Sequence, residues 1–170
     1  MKKVLVLALA VMLLLSAAVP AMATAKPLEG GFIPVIPLGV AHQFWQAVKM
    51  GAEQAAEEYG VTIVFDGPQE ETMVDKQVDI LRANLTNENL IAVCMAAIDE
   101  QSVLTDLTAV KEKGMPVVGF DAGCGAIADA HCSTSNYAAG ELAAQNAIRL
   151  LNGEGKIAIV GHSQTVVDAV

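Results

Sequence analysis

The sequence predicts an α/β fold, a parallel sheet with helices on both faces, and three observations predict it. Short apolar runs alternate with longer segments whose apolar residues recur every three or four positions. Turn residues mark the changes between them, as at Gly60, Asp66-Gly67-Pro68 and Gly114. The best-defined run, 117–120 within GMPVVGFDAG, is the short apolar kind that a parallel strand buried on both faces shows, and it ends on an acid, Asp121. Ligands of open α/β sheets meet the carboxyl ends of the strands, so Asp121 either faces a ligand or simply starts a turn.

Residues 31–38 (GFIPVIPL) read as a first strand, although Pro34 and Pro37 cannot donate to a ladder. From 41 to 59 the spacing of Phe44, Val48, Ala52, Ala55 and Tyr59 predicts a helix with one buried stripe, ended by Gly60. Trp45, adjacent to Phe44, then points away from that stripe, towards the rim or an interface. Residues 61–65 form a second strand. Thr72 and Asp75 resemble a capping box for a helix whose inner face is Val74, Val78, Leu81 and Leu85. Residues 90–97 form a third strand, and Asp99 caps a helix with the inner stripe Val103, Leu107 and Val110, ending at Gly114.

Beyond the fourth strand, 122–130 is a glycine- and alanine-rich loop and 131–134 a brief extended crossing. Ser135 then caps a helix bearing Ala139, Leu142, Ala143, Ala147, Leu150 and Leu151 on one side, and 155–160 reads as a fifth strand.

The first 23 residues have the marks of a secretory signal: Lys2 and Lys3, an apolar run over 4–15, and the small-x-small site Ala21-Met22-Ala23. The run is too short for a membrane span, and no cysteine near the cleavage site offers a lipid anchor. Setting aside Lys2 and Lys3 leaves eight basic residues against 19 acidic ones, a formal charge of −11, which makes nucleic acid and anionic membranes poor partners. Three cysteines in an exported chain cannot all pair within it. Cys94 reads as a buried thiol, while Cys124 and Cys132 are near enough in sequence to close a small disulfide or to stay free.

The predicted rim collects Phe44 and Trp45, the carboxylates of Asp66, Asp99 and Asp121, and the neutral groups of His42, Gln43 and Ser163. Such a set suits an uncharged polyhydroxylated ligand, whose hydroxyls bond carboxylates while its C–H faces lie on aromatic rings. Each residue also has a plainer role: Phe44 in the helix core, His42 at the surface or as a cap, Asp66 in a turn, Asp99 as a cap. No Gly-x-Ser-x-Gly elbow, Walker loop or zinc spacing is present, and a triad of Ser163, His162 and Asp168 would need close sequence neighbours to converge. No enzyme activity, metal or cofactor is therefore expected.

Four segments, His42-Gln43-Phe44-Trp45, 114–121 (GMPVVGFD), 135–140 (SNYAAG) and 155–160 (GKIAIV), in that order after a signal peptide, resemble the type 1 periplasmic solute-binding proteins, the ribose-binding-like family of sugar importers. The resemblance spans about 31–170. It implies two flavodoxin-like lobes closing on a ligand, with Phe44 and Trp45 flanking a sugar ring, His42 as a polar contact beside them and Asp121 accepting hydroxyl hydrogen bonds. It further implies a periplasmic monomer whose partners are a sugar-like solute, an ABC permease and a chemoreceptor. On this resemblance 1–23 is the signal, 24–30 a linker, 31–134 the first lobe and 135–170 the start of a second, incomplete lobe. Ser135 stands where relatives often carry Asp, and Ala122 where ribose binders often carry Arg, which argues against ribose itself. A nucleoside, a cyclitol or a furanosyl signal is the alternative ligand, and an enzyme on a flavodoxin-like sheet the alternative of a different class.

Overall fold

The computed structural model describes residues 26–160. Residues 1–23, read above as a signal, the segment from Gly161 to Ser163 and Asp168 lie outside the described residues. Five parallel strands make one sheet in the order β2-β1-β3-β4-β5: β1 Phe32–Ile36, β2 Thr62–Phe65, β3 Val93–Met95, β4 Val117–Phe120 and β5 Ala130–Cys132. The helices are α1 Gln43–Tyr59, α2 Val74–Asn84, α3 Glu100–Glu112 and α4 Asn136–Leu150. The α/β class and parallel sheet predicted from the alternation are what the chain forms.

Alternation along each strand divides the core in two. Phe32, Ile36, Val93, Met95 and Val117 point to one face and pack with Val78 and Leu81 of α2 and Val103, Leu107 and Val110 of α3. On the other face Trp45 of α1 packs with Leu38, Ala96 and Ala122, and Val48, Phe65 and Phe120 border the group. Ile36, Leu81, Met95, Leu107 and Val117 are fully enclosed. Each contributes about 1.5–3 kcal/mol by leaving water. The helix ends follow the sequence signals: Gly60, at φ 75°, closes α1 with its N–H on the Ala56 carbonyl, and Gly114, at φ 77°, follows α3.

Several expectations are corrected. The inward stripe of α1 is Trp45, Val48, Ala52 and Ala56, with Phe44, Ala55 and Tyr59 exposed. Both stripes satisfy helical spacing, and the larger indole takes the enclosed place. Thr72 does not cap α2: Met73 holds that position and makes no side-chain cap bond. The third strand is shorter than its apolar run, because Leu90 makes only an isolated bridge to Phe32. Residues 155–160 form no strand. All are exposed and find no ladder among the described residues, and a strand exists only where a neighbour takes its hydrogen bonds. The fifth strand is instead the crossing at Ala130–Cys132, paired to β4. Helix α4 has its Ser135 cap, but its apolar stripe buries nothing among the described residues. The three cysteines are free thiols, with Cys94 only partly enclosed.

Candidate functional site

The sheet changes direction between β1 and β3. From β1 the chain moves outward through α1 on one face, and from β3 it moves the other way through α3 on the opposite face. Loops that diverge in this way leave a crevice above the carboxyl ends of the strands, the place where α/β sheets take ligands. The segment after β1 leads to His42, the loop after β3 carries Asp99, and Asp121 opens the turn after β4.

His42 is the N-cap of α1, and its Nδ1 accepts the Phe44 N–H at 3.1 Å. The nitrogen that accepts is therefore unprotonated, which leaves Nε2 as the donor that can face outward. Trp45 is only 2% exposed, so its expected place at the surface is corrected. Its Nε1 donates to Glu71 Oε1 at 2.8 Å. Its ring meets Phe44 edge-on at 4.8 Å and Phe120 at 6.4 Å between centroids. Phe44, expected in the core, is 47% exposed. The adjacent aromatics thus divide the work, with Trp45 as a wedge between α1 and β4 and Phe44 as an open aromatic surface resting on it.

Asp121 takes φ 52°, in the left-handed region that aspartate tolerates better than most residues. Its N–H donates to the Cys132 carbonyl at 3.0 Å, and its own carbonyl accepts from His131 Nε2 at 2.9 Å. The His131 ring lies where a side chain at Gly123 would be, 3.0 Å from that position, so glycine there is a matter of space as well as of its φ of 79°. Asp99 caps α3 as expected, accepting the Ser102 N–H at 3.0 Å and the Ser102 hydroxyl. The hydroxyl bond is the main cause that holds its carboxyl below the usual range. Asp66 is exposed just after β2 and in no assigned turn, with its N–H still on the Val35 carbonyl of β1.

Gln77 of α2, 1% exposed, is the polar residue that the sequence reading passed over. Its Nε2 donates to the carbonyls of Pro37 at 2.9 Å and Ala96 at 2.8 Å, and its Oε1 accepts the Ile98 N–H at 2.9 Å. Those groups belong to the two diverging loops. The last ladder bond between them runs from the Ala96 N–H to the Ile36 carbonyl, and beyond it the Gln77 amide takes over. The clue in the sequence was a polar residue at the inward spacing of Val74, Val78 and Leu81. Glu71, which holds the Trp45 indole, gave no such clue.

Cys124, in the core on the α2/α3 face of the sheet, is raised to about 11 by burial first, then by the charge of Glu100 and by Cys94. Burial also raises Cys94. Both are thiols at neutral pH, which suits packing better than nucleophilic attack. Two open cavities lie elsewhere, about 460 Å³ along Thr72–Lys76 and about 410 Å³ by Leu28, Ile33, Ile91 and Pro116 at the amino end of the sheet. Neither is lined by His42, Phe44 or Asp121. Among the described residues no group of three or more His, Cys, Asp or Glu side chains could hold a metal ion.

A family profile described as a periplasmic binding protein domain matches residues 33–170. The chain belongs to this family. A Brachyspira murdochii protein described as an ABC transporter, LacI family transcriptional regulator, is 33% identical with TM-score 0.64, over 72% of this chain and 39% of that one. An ABC transporter solute-binding protein from Agrobacterium vitis with bound D-fucose is 30% identical with TM-score 0.71, over 82% of this chain and 49% of that one. A carbohydrate transporter solute-binding protein from Agrobacterium radiobacter in complex with D-arabinose is 26% identical with TM-score 0.62, over 79% and 44%. The chain thus spans less than half the length of these three proteins.

Proposed function

We propose that this protein is an extracytoplasmic solute-binding component that captures a sugar or a similar polyhydroxylated molecule and delivers it to an ABC importer. What supports the reading is the strand-order reversal between β1 and β3, with the His42 cap and the exposed Phe44 following β1 and Asp121 following β4, in a chain of a binding-protein family. An exposed ring receives the C–H face of a sugar, His42 offers a donor, and a carboxylate accepts from hydroxyls. Trp45 contributes from beneath by fixing Phe44. The bound sugars of the two Agrobacterium proteins support the ligand class.

On this reading residues 31–134 make the first lobe and 135–170 enter a second. The lobes close on the solute, and a permease, with a chemoreceptor as a second membrane partner, selects the closed form. Residues 1–23 direct export to the periplasm and are removed. The chemistry is binding only, with no covalent step.

The test is a thermal-shift screen of the mature protein against pentoses, hexoses, cyclitols and nucleosides. A ligand at a hundred times its Kd adds about 2.7 kcal/mol of stability, a rise of several degrees. One sugar should give that rise, and Phe44→Ala and Asp121→Ala should each remove it. A folded protein that responds to a nucleoside or cyclitol alone would replace the sugar, and turnover of a sugar ester or glycoside would overturn the binding reading.

A further inference from the structure

The geometry points to Gln77 as a positioning residue that sets the spacing of the two loops bordering the ligand crevice, without touching the ligand. At the divergence the strands stop supplying partners to one another. The Pro37 and Ala96 carbonyls and the Ile98 N–H are backbone groups that need replacements once the ladder ends. One side chain, arriving from α2 beneath both loops, meets all three. Only a primary amide can do so, because the two carbonyls need donors and the N–H needs an acceptor. The same requirement fixes the orientation of the amide, since a reversed Gln77 would put oxygen against two carbonyl oxygens.

The reach of the clamp extends beyond its own bonds. Pro37 opens the segment that leads to the His42 cap and the Phe44 ring, while Ile98 precedes the Asp99 cap of α3. Between Ala96 and Ile98, the Ala97 N–H is bonded to the Gly123 carbonyl, two residues beyond Asp121. Gln77 is therefore joined through short backbone paths to each side of the crevice. Its enclosure, at 1% exposed, shields these bonds from competing water. A rim held in advance in its binding shape spends less of the ligand's interaction energy on ordering loops, so a change at Gln77 should appear as weaker binding.

The inference rests on the proposed binding function for its consequence, and two independent measurements keep the two apart. The first is amide hydrogen exchange in the mature protein, comparing wild type with Gln77→Leu and Gln77→Glu. The amides of Leu38, Gly39, Val40 and Ile98 should exchange at least tenfold faster in the variants relative to those of Leu107 and Val110 in α3. The second is calorimetric titration with D-fucose and D-arabinose. Either Gln77 variant should weaken binding of the accepted sugar by tenfold or more, whereas Val110→Ala, a core change in α3, should lower stability and leave the Kd unchanged.

Uniform acceleration of exchange, or none, would overturn the clamp, as would a Gln77 variant that binds as tightly as wild type. Equal weakening by Val110→Ala would reduce Gln77 to a general stability role. If neither sugar binds wild type, the choice of sugar fails while the exchange comparison still decides whether Gln77 holds the loops. Should Gln77→Leu fail to fold, Gln77→Glu, which keeps the shape and the acceptor for Ile98, carries both measurements.

Discussion

Truncating the two adjacent aromatics separates support from contact. Trp45→Ala removes an enclosed indole, its bond to Glu71 and its edge contacts to Phe44 and Phe120. Large-to-small changes of buried aromatic residues cost about 3–5 kcal/mol. Phe44→Ala removes a half-exposed ring whose principal partner is Trp45, at a cost of about 0.5–1.5 kcal/mol. With a urea slope of about 2 kcal/mol per molar, the first change lowers the unfolding midpoint by about 1.5–2.5 M and the second by less than about 0.8 M. Circular dichroism at helical wavelengths is the assay, since Trp45 is the sole tryptophan and its fluorescence is lost with it. In the same preparations Phe44→Ala should keep its fold and, on the proposed function, lose sugar affinity. Equal midpoint losses, or a larger loss for Phe44→Ala, would refute the division into wedge and contact surface.

Two further outcomes follow from the chemistry around the sheet. Thiol labelling at neutral pH should modify exposed Cys132 first and enclosed Cys124, its pKa raised to about 11, last, with Cys94 between; prompt labelling of Cys124 would contradict its burial. Asp129 accepts the Val117 N–H at 2.9 Å and pairs with Lys111, and the Lys111 bond is the first cause of its lowered pKa. A carboxyl whose folded pKa is depressed contributes stability above its unfolded pKa of about 3.9 and loses it as pH falls through the folded value. Asp129→Asn should therefore flatten the acid limb of the stability curve below about pH 4 while changing little of its shape at neutral pH, as urea melts from pH 2 to 7 would measure.

Much of this architecture was legible because burial on both faces of a parallel sheet forces apolar runs, and helices between them must repeat every three or four residues. Asp99, Ser135, Gly60 and Gly114 were readable because capping and left-handed positions select few residue types. The site was less legible for two physical reasons. Phe44 and Trp45 both lie on admissible helical stripes, and spacing alone does not say which of two adjacent aromatics a neighbouring element encloses. Gln77 owes its role to loops 40 and 19 residues away in sequence, and a local pattern does not record such distances. The run at 155–160 has strand composition, but composition specifies only half of a strand, and its ladder has to come from elsewhere.

Asp121 carries a strained backbone where the proposed function needs a carboxylate. A non-glycine residue at φ 52° costs of order 1 kcal/mol, and glycine is already used beside it at Gly123 and Gly125. Were the turn alone at stake, glycine at 121 would relieve that cost. The backbone instead holds aspartate there on two hydrogen bonds, from its N–H to Cys132 and from His131 to its carbonyl, so that β5 fixes the turn by which β4 ends. Gln77 plays the corresponding part across β1 and β3, and Trp45 between α1 and β4. The loops at the carboxyl ends of β1, β3 and β4 are thus held from three sides by groups that, on the proposed function, a ligand need not touch, the arrangement expected of a surface that binds by shape held in advance.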